Sequence, residues 1–266
     1  MNDIVHPYIG VTGIMTPQEA RAALRVASTW ESNYKVMLGV LASSKTLSGR
    51  KNKWPNRYPN PERIAELFVD HPKALNFVHY STDTPEYLAA QLLSIAKLAG
   101  PHLHGFQLNV VWPEVAELIH FHLNSNPVGC YQLVLQLGTK AIDQCTSLED
   151  LVARVALYKD LVRYILLDCS GGKGIPFDVT LTYARMEALR DACPWAHIVV
   201  AGGLSGDRES FSPLEKLIPL QEHLSCDAEG RLRTHEDDDL NVTDMQHYLR
   251  SLHLAFARGL FGGAMR

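Results

Sequence analysis

The sequence has no excess of positive charge: 25 lysines and arginines face 29 acidic residues, for a formal net charge of −4. A general nucleic-acid binder carries a basic footprint, so this balance argues against that class. Long apolar runs are also missing, so no bilayer-spanning segment is expected. The opening stretch Met1–Gly10 holds Asp3, His6 and Pro7 where a signal peptide would have a basic start and an apolar core, so none is expected. Cysteine is sparse and scattered, at 130, 145, 169, 193 and 226. A disulfide framework or zinc ribbon needs tighter pairing, so reduced thiols in a cytoplasmic setting are expected. Nucleotide fingerprints are lacking too. Gly10-Val11-Thr12-Gly13 does not give GxGxxG, and Lys173 does not sit in GxxxxGK[ST]. No cofactor is implied.

What is present is alternation. Short runs rich in Val, Ile, Leu and Tyr occur at Tyr8–Ile14, Lys35–Leu41, Leu75–Tyr80, Gly105–Val110, Tyr131–Leu137, Tyr164–Asp168 and His197–Ala201, with a weaker one at His223–Asp227. Each has strand length and ends at polar or glycine residues. Helical patterns lie between them. Thr16-Pro17-Gln18-Glu19 reads as an N-cap, a proline at the first helical position and a capping box. Asn60-Pro61-Glu62-Arg63 and Thr84-Pro85-Glu86 open two more helices. Segments 113–123, 147–160, 178–192 and 244–258 are amphipathic, with Leu148, Leu151, Val152 and Val155 on one stripe. Strict βα alternation implies a parallel sheet. Eight units in 266 residues predict one (β/α)8 barrel domain over 1–266, with an open doubly wound sheet as the alternative.

Three long stretches read as surface loops: Ser43–Asn60, Ser205–Pro219 and Arg231–Thr243. The first two follow strands two and seven, which places them on the face where barrels build their sites. Lys45, Arg50, Lys51, Lys53 and Arg57, with Trp54 among them, suit either a solvated loop or a lid that gathers an anion.

The densest chemistry is the run from Asp168 to Asp178. An apolar strand delivers the Asp168 carboxylate, and Gly171, Gly172 and Gly174 follow in a loop whose amides can approach an anion. Strand seven then ends in Gly202-Gly203-Leu204, a second glycine turn suited to phosphate. Singly, each feature reads as a tight turn or a capping aspartate; the combination is more specific.

These residues resemble the phosphoribosylanthranilate isomerase family, which is linked to tryptophan biosynthesis. Asp168 with Gly171-Gly172-x-Gly174-x-x-Phe177-Asp178 looks like its strand-six signature, and Ala201-Gly202-Gly203-Leu204 like its strand-seven signature. Gln107-Leu108-Asn109 is similar to Gln-Leu-His at strand four. Arg57-Tyr58 resembles a strand-two loop that offers an arginine to the substrate carboxylate, and Leu224–Gly230 is a loose match to strand eight. The resemblance implies an Amadori rearrangement of a phosphorylated aminoaldose, with Asp168 as acid. It implies substrate contacts at Arg57, Gln107, the loop glycines, Gly202, Gly203 and Leu204. Two departures stand out. Thr12 occupies the position of the family's catalytic cysteine, and Val179 that of a tryptophan. A threonine hydroxyl is too weak an acid to replace a thiolate without a base of its own. Asp227 is the best-placed substitute, although a capping or solvent-facing loop aspartate is the plainer reading. Cys169 and Cys226 read as structural.

His102-Leu103-His104 and His120-Phe121-His122 do not suit a metal, since the first precedes strand four and the second lies in a helix with its residues two apart. His79 reads as a satisfied histidine at a strand end, and Glu236-Asp237-Asp238-Asp239 as a solvated turn. Three functions follow: an enzyme on a small phosphorylated sugar, an inert barrel binding a phosphorylated ligand, and, least supported, a metal hydrolase.

Overall fold

A computed structural model describes residues 5–168, 170, 174–221 and 223–258. Eight parallel strands close on themselves in chain order. They are β1 (Tyr8–Thr12), β2 (Lys35–Ser43), β3 (Ala74–Ser81), β4 (Gly105–Leu108), β5 (Gln132–Gly138), β6 (Tyr164–Asp168), β7 (His197–Ala201) and β8 (Ser225–Ala228). The chain is a (β/α)8 barrel. Among the described residues no helix is long and apolar enough to cross a membrane.

Side-chain alternation sorts the core in two. Tyr8, Met37, Leu75, Phe77, Val134, Tyr164, Leu166 and Val199 point inward and fill the lumen. Their neighbours, such as Ile9, Val36, Val78, Ile165 and Val200, point outward and pack under the helices. The helix Pro17–Ala27 starts as its sequence predicts, with Thr16 accepting from the Glu19 amide and Glu19 returning a bond to the Thr16 amide. Asp178 caps the helix Val179–Ala192 by accepting from two amides.

Some boundaries differ from expectation. The segment opened by Asn60 forms a 3-10 turn and then only the short helix Ile64–Leu67, because Phe68 turns extended to enter β3. The crossovers after β2 and β7 consist of short helical turns, not bare loops. β8 begins at Ser225, two residues after the expected start.

The seam between β1 and β8 is fastened from both ends. Ile9, Gly10 and Val11 pair with Cys226, Asp227 and Ala228. Outside, the first helical unit packs on the last: Trp30 stacks on His253 with ring centroids 4.4 Å apart, and Gln246 donates to the Ala22 carbonyl. The buried Arg233 reaches back to donate to the carbonyls of Thr12 (3.0 Å) and Gly13 (2.8 Å). Gly13, with φ +91°, leaves the space for it; a Cβ there would lie 1.7 Å from the guanidinium.

Two other glycines make opposite predictions. A Cβ at Gly105 would sit 1.9 Å from the Gln132 carbonyl oxygen in the barrel wall, whereas at Gly138 the nearest atom is 3.6 Å away. Gly105→Ala is expected to cost about 3 kcal/mol through forced backbone movement. Gly138→Ala is expected to stay within about 1 kcal/mol of the parent. Urea unfolding of the two variants checks this.

Candidate active site

The inward residues at the C-terminal ends of the strands form a polar layer above the apolar lumen. Asp168 and Asp227 share one register with Ala201, which pairs with both, so β7 separates the two carboxylates. Two strand spacings put their Cα atoms roughly 10 Å apart. The small Ala201 side chain leaves the gap between them open.

Asp227 lies inside the barrel, 4% exposed, and neither caps a loop nor faces solvent. Gly10 makes the room, since a Cβ there would fall 2.6 Å from Asp227 Oδ1. The Thr12 hydroxyl donates toward both carboxylate oxygens, at 3.1 and 3.0 Å. Gly39 in turn makes room for Thr12. Burial pushes the Asp227 carboxyl up to about 7; Thr12 and Gln107 pull it down by hydrogen bonding, and the charges of Glu229 and Asp168 push it further up. Thr12 is thus a donor that orients Asp227.

Asp168, also buried, accepts at Oδ2 from Gln136 Nε2 (2.8 Å) and at Oδ1 from the Ser170 amide and hydroxyl (2.8 Å each). These donors suit a carboxylate, which only accepts. Since Gln136 spends its NH2 on Asp168, its Oε1 is the acceptor for His79 Nε2, 2.8 Å away. His79 is therefore a donor at Nε2. Gln107 lies between the two halves, with Nε2 3.4 Å from Gln136 Oε1. Its Oε1 is buried with no hydrogen-bond partner among the described residues. Buried acceptors are nearly always paired, so this atom asks for a water or a ligand hydroxyl.

The glycine turns meet one another at the β6, β7 and β8 ends. Gly202 and Gly203 have φ of +128° and +64°, and a Cβ on Gly203 would fall 2.6 Å from Pro176. The glycines thus let the loop after β6 fold closely over β7. Gly174 meets Arg231, whose Nε donates to the Gly174 carbonyl at 3.3 Å. Gly202, Gly203, Leu204, Gly230 and Arg231 all border the central cavity with Asp168, Asp227 and Gln107. That cavity offers about 30 Å³, room for a water or two. Gly171, Gly172, Cys169 and Lys173 lie outside the described residues.

Arg57 comes to the rim, but its guanidinium is engaged by acids. It pairs with Glu229 (2.7 Å) and, through Nε, with Asp238 (2.7 Å), and it stacks on Trp54. Asn56 Nδ2 donates to the Asp237 carbonyl, so the β2 loop is latched to the segment after β8. The acidic run is thus partly a set of partners for this loop.

Sequence reasoning passed over Gln136 and Arg231 and took His79 as merely satisfied. A lumen-facing count along β5 from Val134 would have found Gln136; Arg231 had only its place after Gly230 as a signal. Cys226 points outward and contacts the Tyr248 hydroxyl at 3.4 Å, as a structural thiol should. His104 Nδ1 accepts from the Asn76 amide, and His122 Nε2 meets the Leu161 carbonyl. Among the described residues no cluster of three or more His, Cys, Asp or Glu is placed to hold a metal ion.

No protein-family model matches the chain. No curated protein matches it in sequence. Solved structures match in shape. Monomers of the dimeric phosphoribosylanthranilate isomerase of Thermotoga maritima superpose with a TM-score of 0.56 at 13% identity, covering 95% of this chain and 99% of that one. A lyase/mutase candidate from Burkholderia cenocepacia gives 0.52 at 15%, over 97% and 83%. The carboxyl transferase domain of Rhizobium etli pyruvate carboxylase gives 0.51 at 11%, over 98% and 50%. At these identities the likeness establishes the barrel fold alone.

The raised Asp227 carboxyl links stability to pH. The native state keeps this proton to about pH 7, while the unfolded chain gives it up near the ordinary aspartate value of 3.8. Between those values the native state binds more protons, so stability falls as pH rises and levels off above about pH 7. The total is about 4 kcal/mol. Asp227→Asn removes it. Relative to the variant, the parent protein is expected to lose that amount between pH 4 and pH 8, measured by urea unfolding at both.

Proposed function

We propose that this chain is an isomerase-type enzyme that transfers protons on a small phosphorylated sugar, with Asp227 and Asp168 as acid and base. One observation carries the reading: two buried carboxylates share a register across a small residue, and one keeps its proton to about pH 7. Groups with ordinary structural roles seldom combine burial, a shifted proton affinity and a place at the barrel mouth.

The chemistry is of the Amadori type that the resemblance implies, with the roles redistributed. Asp227 gives its proton to the ring oxygen of an aminoaldose as the C1–O bond opens, leaving a protonated Schiff base. Asp168, held as an acceptor by Gln136 and Ser170, takes the C2 proton, and the electron pair of that C–H bond neutralises the iminium to give an enolamine. Tautomerisation yields the aminoketose. No atoms are gained or lost, and no cofactor is consumed. Gln107 Oε1 accepts from a sugar hydroxyl, which answers its missing partner. The phosphate lies against the amides of Gly202, Gly203 and Gly230, with Arg231 as counter-charge. Reduced thiols at Cys130, Cys145, Cys193 and Cys226 agree with a cytoplasmic enzyme, and the nearest reaction class is the isomerisation in tryptophan biosynthesis.

A second reading, an inert barrel that binds a phosphorylated ligand, is favoured by the small central cavity and by an Arg57 already neutralised by acids.

The test adds phosphoribosylanthranilate and follows loss of its fluorescence. Turnover is expected, with kcat/KM lowered about a hundredfold or more in Asp168→Asn and in Asp227→Asn. It should fall about tenfold per pH unit above roughly pH 7, as Asp227 loses its proton. A rate that instead rises through pH 7 makes Asp227 the base and reverses the roles. Absence of turnover, with a melting temperature raised by ribose 5-phosphate, selects the inert barrel.

A further inference from the structure

The barrel has a second end. A strand's length below the carboxylates, a cleft of about 350 Å³ opens between the foot of β7 and the segment that leads into β8. Its volume lies in the range of small-molecule sites. Val5, Trp195, Ile198 and Leu220 give it apolar walls. The indole among them favours a flat aromatic partner.

His197, the first residue of β7, is the polar centre of the lining. Its ring is fixed by its neighbours. The Gln221 side chain clamps Ile198: Oε1 accepts from the Ile198 amide (2.8 Å) and Nε2 donates to the Ile198 carbonyl (2.9 Å). That clamp decides which end of the Gln221 amide is the nitrogen. Gln221 Nε2 lies 3.1 Å from His197 Nε2 and turns its second hydrogen to it. The Ser225 hydroxyl, which accepts from the Tyr8 amide, lies 2.7 Å from the same ring nitrogen. His197 Nε2 is therefore an acceptor, and the ring proton sits on Nδ1. Burial, with the His223 charge adding, lowers the His197 pKa to about 4, so the ring is neutral at neutral pH. Among the described residues its Nδ1–H has no hydrogen-bond partner. Arg190, the charged residue of the described lining, is paired at 2.7 Å with the adjacent Asp191. The cleft therefore offers apolar surface and one idle donor, without a net charge to select an ion.

We infer that this cleft at the foot of β7 and β8 is a second binding site, for a small, neutral heteroaromatic molecule whose ring nitrogen or carbonyl accepts from His197 Nδ1. The site is independent of the isomerase reading. It shares no residue with the mouth, and its ligand differs from a phosphorylated sugar in both charge and shape.

The probe is quinoline at pH 8, where it is neutral, with naphthalene as the same shape lacking the acceptor. Equilibrium dialysis reads both dissociation constants. Quinoline is expected to bind saturably, with a Kd of about 1 mM or below. Trp195→Ala removes a wall and should weaken both probes about fivefold or more. His197→Gln keeps a polar atom near the Nε2 position for Ser225 and Gln221 but lacks the Nδ1 donor. It should weaken quinoline about fivefold and leave naphthalene within about twofold. Asp168→Asn, at the other end of the barrel, should leave the quinoline Kd within about twofold. A measurement on the parent protein covers the case in which His197→Gln does not fold. Nitrogen-15 NMR of the His197 ring should show the proton on Nδ1, with that signal moving on addition of quinoline and not of naphthalene. The assignment is overturned by a proton found on Nε2, by binding that is not saturable at millimolar quinoline, or by binding that is lost in Asp168→Asn. It is also overturned if Trp195→Ala leaves both probes unchanged, or if His197→Gln weakens naphthalene as much as quinoline.

Discussion

A carboxylate inside a barrel lumen is costly, because the wall is apolar backbone and side chain and water is largely shut out. The arrangement around Asp227 answers that cost piece by piece. Glycine at position 10 leaves room for the carboxyl, and alanine at 201 keeps the next strand from crowding it. Thr12 supplies a donor, and Gly39 lets Thr12 lie flat against β2. What those devices do not offset emerges as a raised proton affinity. The rest of the polar layer is built against this group: Asp168 is its negative neighbour, Gln107 a donor between them, and Gln136 and His79 the far end of the chain. A larger residue at position 10 would displace the acid itself, and one at position 39 would displace its donor, Thr12.

Much of the fold was legible because closed parallel barrels leave a plain trace, with apolar strand, polar turn and amphipathic helix repeated. β8 was the weak point for a physical reason. Ser225-Cys226-Asp227-Ala228 has almost no apolar contrast, so its inward and outward faces could not be read. The plainer reading of Asp227 as a loop residue followed from that. Only the pairing of Gly10 with Asp227 decides the matter, and such pairing joins residues from opposite ends of the chain.

The glycines and Arg57 show another limit. Glycine at 202 and 203 is equally demanded by a phosphate and by a neighbouring loop, and the sequence does not separate the two. Pro176 against Gly203 now accounts for one demand. Arg57 stood out as a cation in a basic loop, yet its partners, Glu229 and Asp238, are far along the chain. A charge inventory by segment counts Arg57 as available, whereas in the fold it is already neutralised.

The β1–β8 seam bears on how the protein comes into being. Asp227 and Arg233 are made late, and the strand they complete is made first. During synthesis β1 waits with one edge unpaired, and its Gly10 hollow has nothing to hold until the last βα unit leaves the ribosome. The acid therefore arrives with the stitch that closes the ring, so a nascent or truncated chain has neither a finished wall nor a working centre. Structural completion and chemical competence coincide in one late step.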